Sequence, residues 1–167
     1  MKAQGPHYRV GFRRRRGSRT DYRLRARLLR SEKPRAVVRK TLNQMIVQIV
    51  EADPVGDRIV ASATSRELRK HGWAAGTGNV PAAYLTGFLA GHRASGKGVT
   101  EAILDIGLHK PTKGGRVFAA LQGLLDAGLA IPHREDILPS KERLRGEHIH
   151  EGLAKSLDDV KAKLGAL

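Results

Sequence analysis

The sequence contains no cysteine, so disulfides and cysteine-based zinc sites are excluded, and the chain is indifferent to the redox state of its compartment. Aromatic residues make up only 4% of it, so a core must be built from Val, Ile, Leu and Ala, which the 40% hydrophobic content supplies. No apolar run approaches the ~18 residues needed to cross a membrane. The first residues hold no apolar signal-peptide segment, and a cytoplasmic location is expected. Acids are scarcest at the front. Residues 1–40 carry fifteen Lys and Arg against two carboxylates, Asp21 and Glu32, which leaves only about +2 of the formal +15 for everything after.

What is present in that stretch is arginine in excess. A clamp for a polyanion needs many cations close together and few carboxylates to neutralise them. The planar guanidinium grips two phosphate oxygens or stacks on a base, which an ammonium does less well. A solvated basic tail without a partner is the plainer reading, but folding alone gives no reason to crowd Arg13, Arg14, Arg15 and Arg16 together. Tyr8 and Phe12 stand among these cations, where they can stack on bases or pack on a partner.

Residues 1–17, broken by Gly5, Pro6, Gly11 and Gly17, lack hydrophobic periodicity and are expected to be an extended arm ordered only by its ligand. A cap at Ser18 or Thr20, followed by Asp21, starts a helix to about Arg30 with Leu24 and Leu28 on one face, closed off by Pro34. Strands are expected over residues 35–41, 44–51 and 58–65, joined as an antiparallel meander. Both faces of the second are largely apolar, with Gln48 leaving room for a partly wet side. A short helix at 66–71 and a loop at 72–79 precede a helix from 80 to 94, with Asn79 as cap and Pro81 in the first turn. Its Ala and Gly content suggests close packing on the sheet. A fourth, interior strand is expected at 99–106, a helix at 116–127 stopped by Gly128, and a short strand at 129–131. Helix, strand, helix implies parallel pairing through right-handed crossovers. The expected fold class is therefore α/β: a three-layer α/β/α core with a mixed sheet. It divides as a basic arm (1–17), a core with a leading basic helix (18–132) and a C-terminal extension (133–167) ending in a helix at 156–164.

Candidate chemistry is thin. Gly76-Thr77-Gly78-Asn79 precedes a helix start that can hold an anion, but it is no GxGxxG, so a plain loop or an RNA phosphate contact is the better expectation. His133, His148 and His150 lack the spacing and company of a metal site. Glu101 and Asp105 can share one side of a strand, and paired carboxylates bind magnesium or do acid–base work. A magnesium-dependent RNA-processing nuclease is accordingly the alternative function. No GxSxG elbow occurs. Lys110, Lys113 and Arg116 lie in a loop with Gly107, Pro111, Gly114 and Gly115, which is either a phosphate cradle or an ordinary strand-to-helix connection. A basic amphipathic helix at 18–30 can also lie on an anionic membrane, although its apolar face is narrow and lacks Trp and Phe.

The stretches GPHYRVGFRRRRGSRTDYRLRARLL, SEKPRAVVRKTLN, GNVPAAYLTGFLAG, EAILDIGL, RVFAALQGLLDAGLAIPH and RGEHI, in this order from residue 5 to residue 149, resemble one family. It is the large-subunit ribosomal protein of the eighteenth universal family, in its archaeal form. The resemblance implies a three-layer α/β/α core, no catalytic activity and no cofactor. It implies binding to 5S rRNA in the central protuberance, contacts with 23S rRNA, and neighbouring ribosomal proteins including the fifth universal family. It places Arg13–Arg16, Arg19, Tyr22 and Arg23 in an RNA-gripping arm, and Arg35, Arg39 and Lys40 at RNA from the first strand. Within the same matched arm and helix, Tyr8, Arg9, Phe12 and Arg27 are further expected contacts. It also shifts Lys110, Lys113 and Arg116 toward RNA contact. Neither a membrane nor a small-molecule substrate is expected.

Overall fold

The computed structural model describes residues 5–150 and 152–166. Its centre is a four-stranded mixed sheet in the order β3-β2-β1-β4, formed by β1 (Arg35–Lys40), β2 (Met45–Ala52), β3 (Asp57–Thr64) and β4 (Ile103–Asp105). The first three make the antiparallel meander, with Ala36 opposite Ile49 and Val47 opposite Ala63, while β4 lies parallel to β1. Alternation sorts the side chains. Ala36, Val38, Val47, Ile49, Ala61 and Ala63 are buried on one face. That face is covered by α3 (Val80–Ser95), packed on β2 and β3, and by α4 (Arg116–Asp126), packed on β1.

The opposite face is different. Arg35, Val37, Arg39, Gln48, Val50 and Ile59 point there and line a cleft of about 540 Å³ beneath α2 (Tyr22–Leu29). α2 is the third layer, yet none of its residues is buried. The partly wet side anticipated from Gln48 is this cleft.

Several expected details change. The run Arg13–Arg16 is not extended but forms one helical turn, α1, capped at Gly17. Ser18, at φ 48°, reverses the chain so that the Arg19 N–H donates to the Arg14 carbonyl at 2.8 Å. Asp21 itself caps α2, its carboxylate accepting from the N–H groups of Arg23 (2.9 Å) and Leu24 (3.1 Å). The Leu24 amide leads the effects that hold the Asp21 carboxyl below the usual carboxylate range. The fourth strand is three residues long and stands at the sheet edge, because only residues 103–105 find a register on β1. Beyond it, residues 129–131 contribute a single bridge from Ala130 to Glu101. The close approach of α3 is to α4 more than to the sheet, and it rests on glycines.

The C-terminal segment adds a 3-10 turn at Glu135–Ile137, a short helix α5 (Lys141–Arg145), and α6 (Leu153–Gly165), which begins earlier than position 156. Leu153, Leu157, Val160 and Leu164 recur at helical spacing and are buried in the same hydrophobic cluster as the sheet. α6 lies across α3, where the Lys161 ammonium stands 5.2 Å from the ring centres of both Tyr84 and Phe88. Burial, with a hydrogen bond to Asp126, pushes the Tyr84 hydroxyl pKa upward and keeps it a donor. No described helix is long and apolar enough to cross a membrane.

Candidate nucleic-acid interface

The site begins with a local accident of chain direction. Gly17 ends α1 and Ser18 turns it back, so the arm doubles over the start of α2. Phe12 packs its ring 4.9 Å from that of Tyr22, and Arg14 Nε donates to Thr20 Oγ1 at 2.9 Å. Phe12 stays 68% exposed, so one face of this aromatic pair remains open for stacking. Arg9, Arg13, Arg14, Arg15, Arg16, Arg19, Arg23 and Arg27 are all exposed. Among the described residues none of them has a carboxylate in ion-pair range. Eight unneutralised guanidinium groups on so short a stretch repel one another. Their placement is favourable only opposite a dense array of negative charge.

Behind the arm, charges alternate in sign across the open face of the sheet. Arg25 of α2 makes a two-pronged contact with Asp57 of β3, at 2.8 and 2.9 Å. Asp57 also accepts from Arg35 at 2.7 Å, Arg35 donates to Asp105 at 2.9 Å, and Asp105 accepts from Arg39 at 3.0 Å. Gly107, at φ +60°, completes the cluster by donating its N–H to Asp105 at 2.8 Å. A Cβ there would lie 2.9 Å from the Arg39 guanidinium carbon and push that side chain aside, so the left-handed backbone is what favours glycine at this position. This chain of ion pairs fastens α2, and with it the arm, to the sheet. Arg25 and then Arg35 hold the Asp57 carboxyl below the usual carboxylate range despite partial burial.

The sign of the pH dependence follows. The unfolded chain takes up the Asp57 proton first, so the stabilisation is complete above the unfolded value of 3.8 and is lost as pH falls through the lower folded value. Asp57→Asn should cost about 1–2 kcal/mol at pH 7, discounted for partial exposure. The deficit should shrink as pH falls below 3.8, as thermal unfolding of both proteins across that range would show.

The structure therefore corrects the role expected of Arg35. It is 2% exposed, and its two terminal nitrogens are taken by Asp57 and Asp105, so it orders the sheet face and does not reach an external phosphate. Arg39 is half-buried and Lys40 lies beside His109, whose Nε2 accepts the Lys40 N–H at 3.1 Å. Burial and the neighbouring Lys40, Arg39 and Arg116 push the His109 pKa down, keeping the ring neutral and able to accept. In the loop, Lys110 is exposed, Lys113 pairs with Asp136 at 2.8 Å, and Arg116 donates to the carbonyls of Gly78 (2.8 Å) and Thr41 (3.2 Å). Arg116 thus ties α4 to the β1–β2 turn. Arg14, Arg19, Arg39 and Gly107 line one cleft, whereas Lys110, Lys113 and Arg116 are not among its lining residues.

The other candidates dissolve into structure. Asn79 accepts from the Ala82 N–H at 2.9 Å as the cap of α3, and Thr77 donates to the Asn43 carbonyl at 2.6 Å, so their loop braces the β1–β2 turn. Asp105 spends its acceptors on Arg35, Arg39 and Gly107, while Glu101 pairs with Lys33 at 2.5 Å, which leaves no carboxylate pair for magnesium. His133 bonds the Ile131 carbonyl and His150 accepts from Gly152; no group of three metal-ligating side chains occurs among the described residues. Sequence reasoning passed over Arg25, Asp57 and Asp105 as the tether. The available signal was that acids are few in this chain, and each therefore had a choice of cations.

Comparison with known proteins bears on the arrangement as a whole. Over residues 6–100 and 93–134 the chain matches the family described as ribosomal large subunit proteins 60S L5 and 50S L18. It is 55% identical over 157 residues to the large ribosomal subunit protein uL18 of the archaeon Halobacterium salinarum, in strains R1 and NRC-1 alike, an alignment spanning 94% of this chain and 85% of each relative.

Proposed function

Since the chain belongs to the family of large-subunit ribosomal proteins that includes 60S L5 and 50S L18, in its archaeal form, we propose that it is the component that holds 5S rRNA on the large subunit. In this reading it grips 5S rRNA, helps attach it to 23S rRNA in the central protuberance, and sits beside neighbouring ribosomal proteins including the fifth universal family, all in the cytoplasm. Its part is structural and no reaction is assigned to it. The observation that carries the reading is the set of eight exposed guanidinium groups on the arm and α2 without carboxylate partners among the described residues. Such a surface recognises phosphates and RNA shape, with Tyr8 and the Phe12–Tyr22 pair available for stacking.

If roughly 6–10 phosphates are neutralised, affinity for isolated 5S rRNA should fall ~10³–10⁵-fold between 50 and 200 mM salt. Filter binding over that range, with chemical footprinting of the RNA, tests this. A localised footprint with a steep salt slope supports the proposal. Equal affinity for an arbitrary DNA duplex, or a complex indifferent to salt, counts against it.

A further inference from the structure

The cleft between α2 and the open sheet face is not explained by phosphate gripping alone. Its volume of about 540 Å³ lies within the range of small-ligand sites, about 300–1,000 Å³. Its wall is divided by chemistry. Leu24 and Leu28 come from α2, and Val50 and Ile59 from the sheet, so both elements contribute apolar lining beside the charged Arg25, Asp57 and Asp105. Arg14 and Arg19, both exposed and both without a carboxylate partner among the described residues, contribute to the same lining. Arg35 also lines it, with its terminal nitrogens held by Asp57 and Asp105. The donors left to an occupant are those of Arg14, Arg19 and Gln48, which line the same cleft.

An occupant of such a cleft needs an apolar slab, hydrogen-bond acceptors on its rim and a negative charge at its outer end. An aliphatic ligand lacks the acceptors, and free phosphate leaves the apolar walls bare. We propose that the cleft receives a single unpaired RNA nucleotide. The base inserts between the leucines of α2 and Val50 and Ile59 of the sheet, while its phosphate meets Arg14 and Arg19. The inference rests on the RNA-binding reading above and assigns the cleft a task that reading leaves open. It also gives a reason for an α2 layer with no buried residue, since a roof held by ion pairs leaves space beneath it for an insert.

The test uses the full chain and two RNA hairpins of equal length, one fully paired and one with a single bulged 2-aminopurine. Base stacking on a protein favours binding enough that the bulged hairpin should be preferred roughly tenfold or more. Ile59→Trp, at a position 52% exposed and therefore tolerant of bulk, fills the cleft from the sheet side. It should bring the preference close to one while leaving affinity for the paired hairpin and its salt slope unchanged. Gln48→Trp provides a second filling from the neighbouring strand. Independently of any variant, the bulged base should become shielded from iodide quenching when the protein binds. A bulge as open to iodide in the complex as in free RNA, or a preference that survives both fillings, overturns the proposal and leaves RNA binding intact. Failure of both hairpins to bind overturns the proposal, and failure of isolated 5S rRNA to bind in the same assay overturns the RNA-binding reading along with it.

Discussion

Replacing Arg13–Arg16 by four alanines should weaken binding to 5S rRNA by about 10²–10³-fold near 100 mM salt while leaving the protein as stable as before. The two halves of this expectation have separate causes. The four side chains bury nothing, and their turn is closed by Gly17 and by backbone bonds from Ser18 and Arg19 to the carbonyls of Arg15 and Arg14. Alanine has the higher helix propensity and relieves the mutual repulsion of four adjacent cations, so the turn persists. Surface changes of this kind alter stability by no more than about 0.5 kcal/mol. The binding loss is electrostatic. Removing four phosphate contacts lowers the slope of log affinity against log salt by about 3–4, which alone amounts to roughly two decades between 50 and 200 mM. Four lysines in place of the arginines keep the charge and lose the fork. They should restore the slope but only part of the affinity. If the alanine protein binds 5S rRNA as tightly as the parent, with an unchanged slope, the arm does not hold the RNA. If it fails to fold, the run is structural.

Which parts of this molecule were legible beforehand follows from where the determining interactions lie. β1, β2 and β3 are written in period-two alternation, and α3 in its Asn79 cap, its Pro81 and its apolar length, all local signals. The end of α4 at a left-handed glycine, Gly128 with φ +93°, is equally local. The α1 turn was not legible, because four identical cations carry no periodicity, and what bends the chain there is Ser18 together with the Phe12–Tyr22 contact. The edge position of β4 was hidden because order in a sheet depends on which strand offers a free side, not on composition. Arg35 was the instructive misreading. It stands in the basic stretch like any other arginine, and its partners Asp57 and Asp105 are 22 and 70 residues away. Charge in a sequence reports a segment's sum. Whether one guanidinium faces solvent or a buried carboxylate is decided by strand parity and register, which place Arg35 and Asp105 on the same face of neighbouring strands. The arm differs from Arg35 in that its cations are outside any sheet and have no carboxylate in ion-pair range among the described residues.

Gly87→Ala, the addition of one methyl group, should abolish cooperative folding. Thirteen of the sixteen residues of α3 are buried, and the helix crosses α4 so closely that a Cβ at Gly87 would fall inside the van der Waals shell of the Ala120 carbonyl oxygen. The reciprocal contact is as tight, since a Cβ at Gly123 would meet the Tyr84 carbonyl oxygen and, at 2.6 Å, the Phe88 nitrogen. Neither obstacle is a side chain that can rotate away, so the helices must separate. Separation loosens the apolar contacts of α3 and α4 with each other and with Val38 and Val47 beneath them, and it pulls Arg116 from the β1–β2 turn. The expected cost exceeds about 4–5 kcal/mol, beyond ordinary overpacking and comparable with the ~5–15 kcal/mol that holds a whole domain together. Gly91 provides the contrast. There a Cβ would come 2.5 Å from the Ala127 Cβ, a side-chain atom at the end of α4. Gly91→Ala should cost about 1–3 kcal/mol, and Ala127→Gly added to it should recover most of that loss. No side-chain deletion can rescue Gly87→Ala, because the obstruction is main chain. Thermal unfolding of the three proteins separates the cases. A sharp transition for Gly87→Ala within a few degrees of the parent would mean that the two helices do not approach backbone to backbone, and the packing that positions the sheet and its cleft would have to be rebuilt on other contacts.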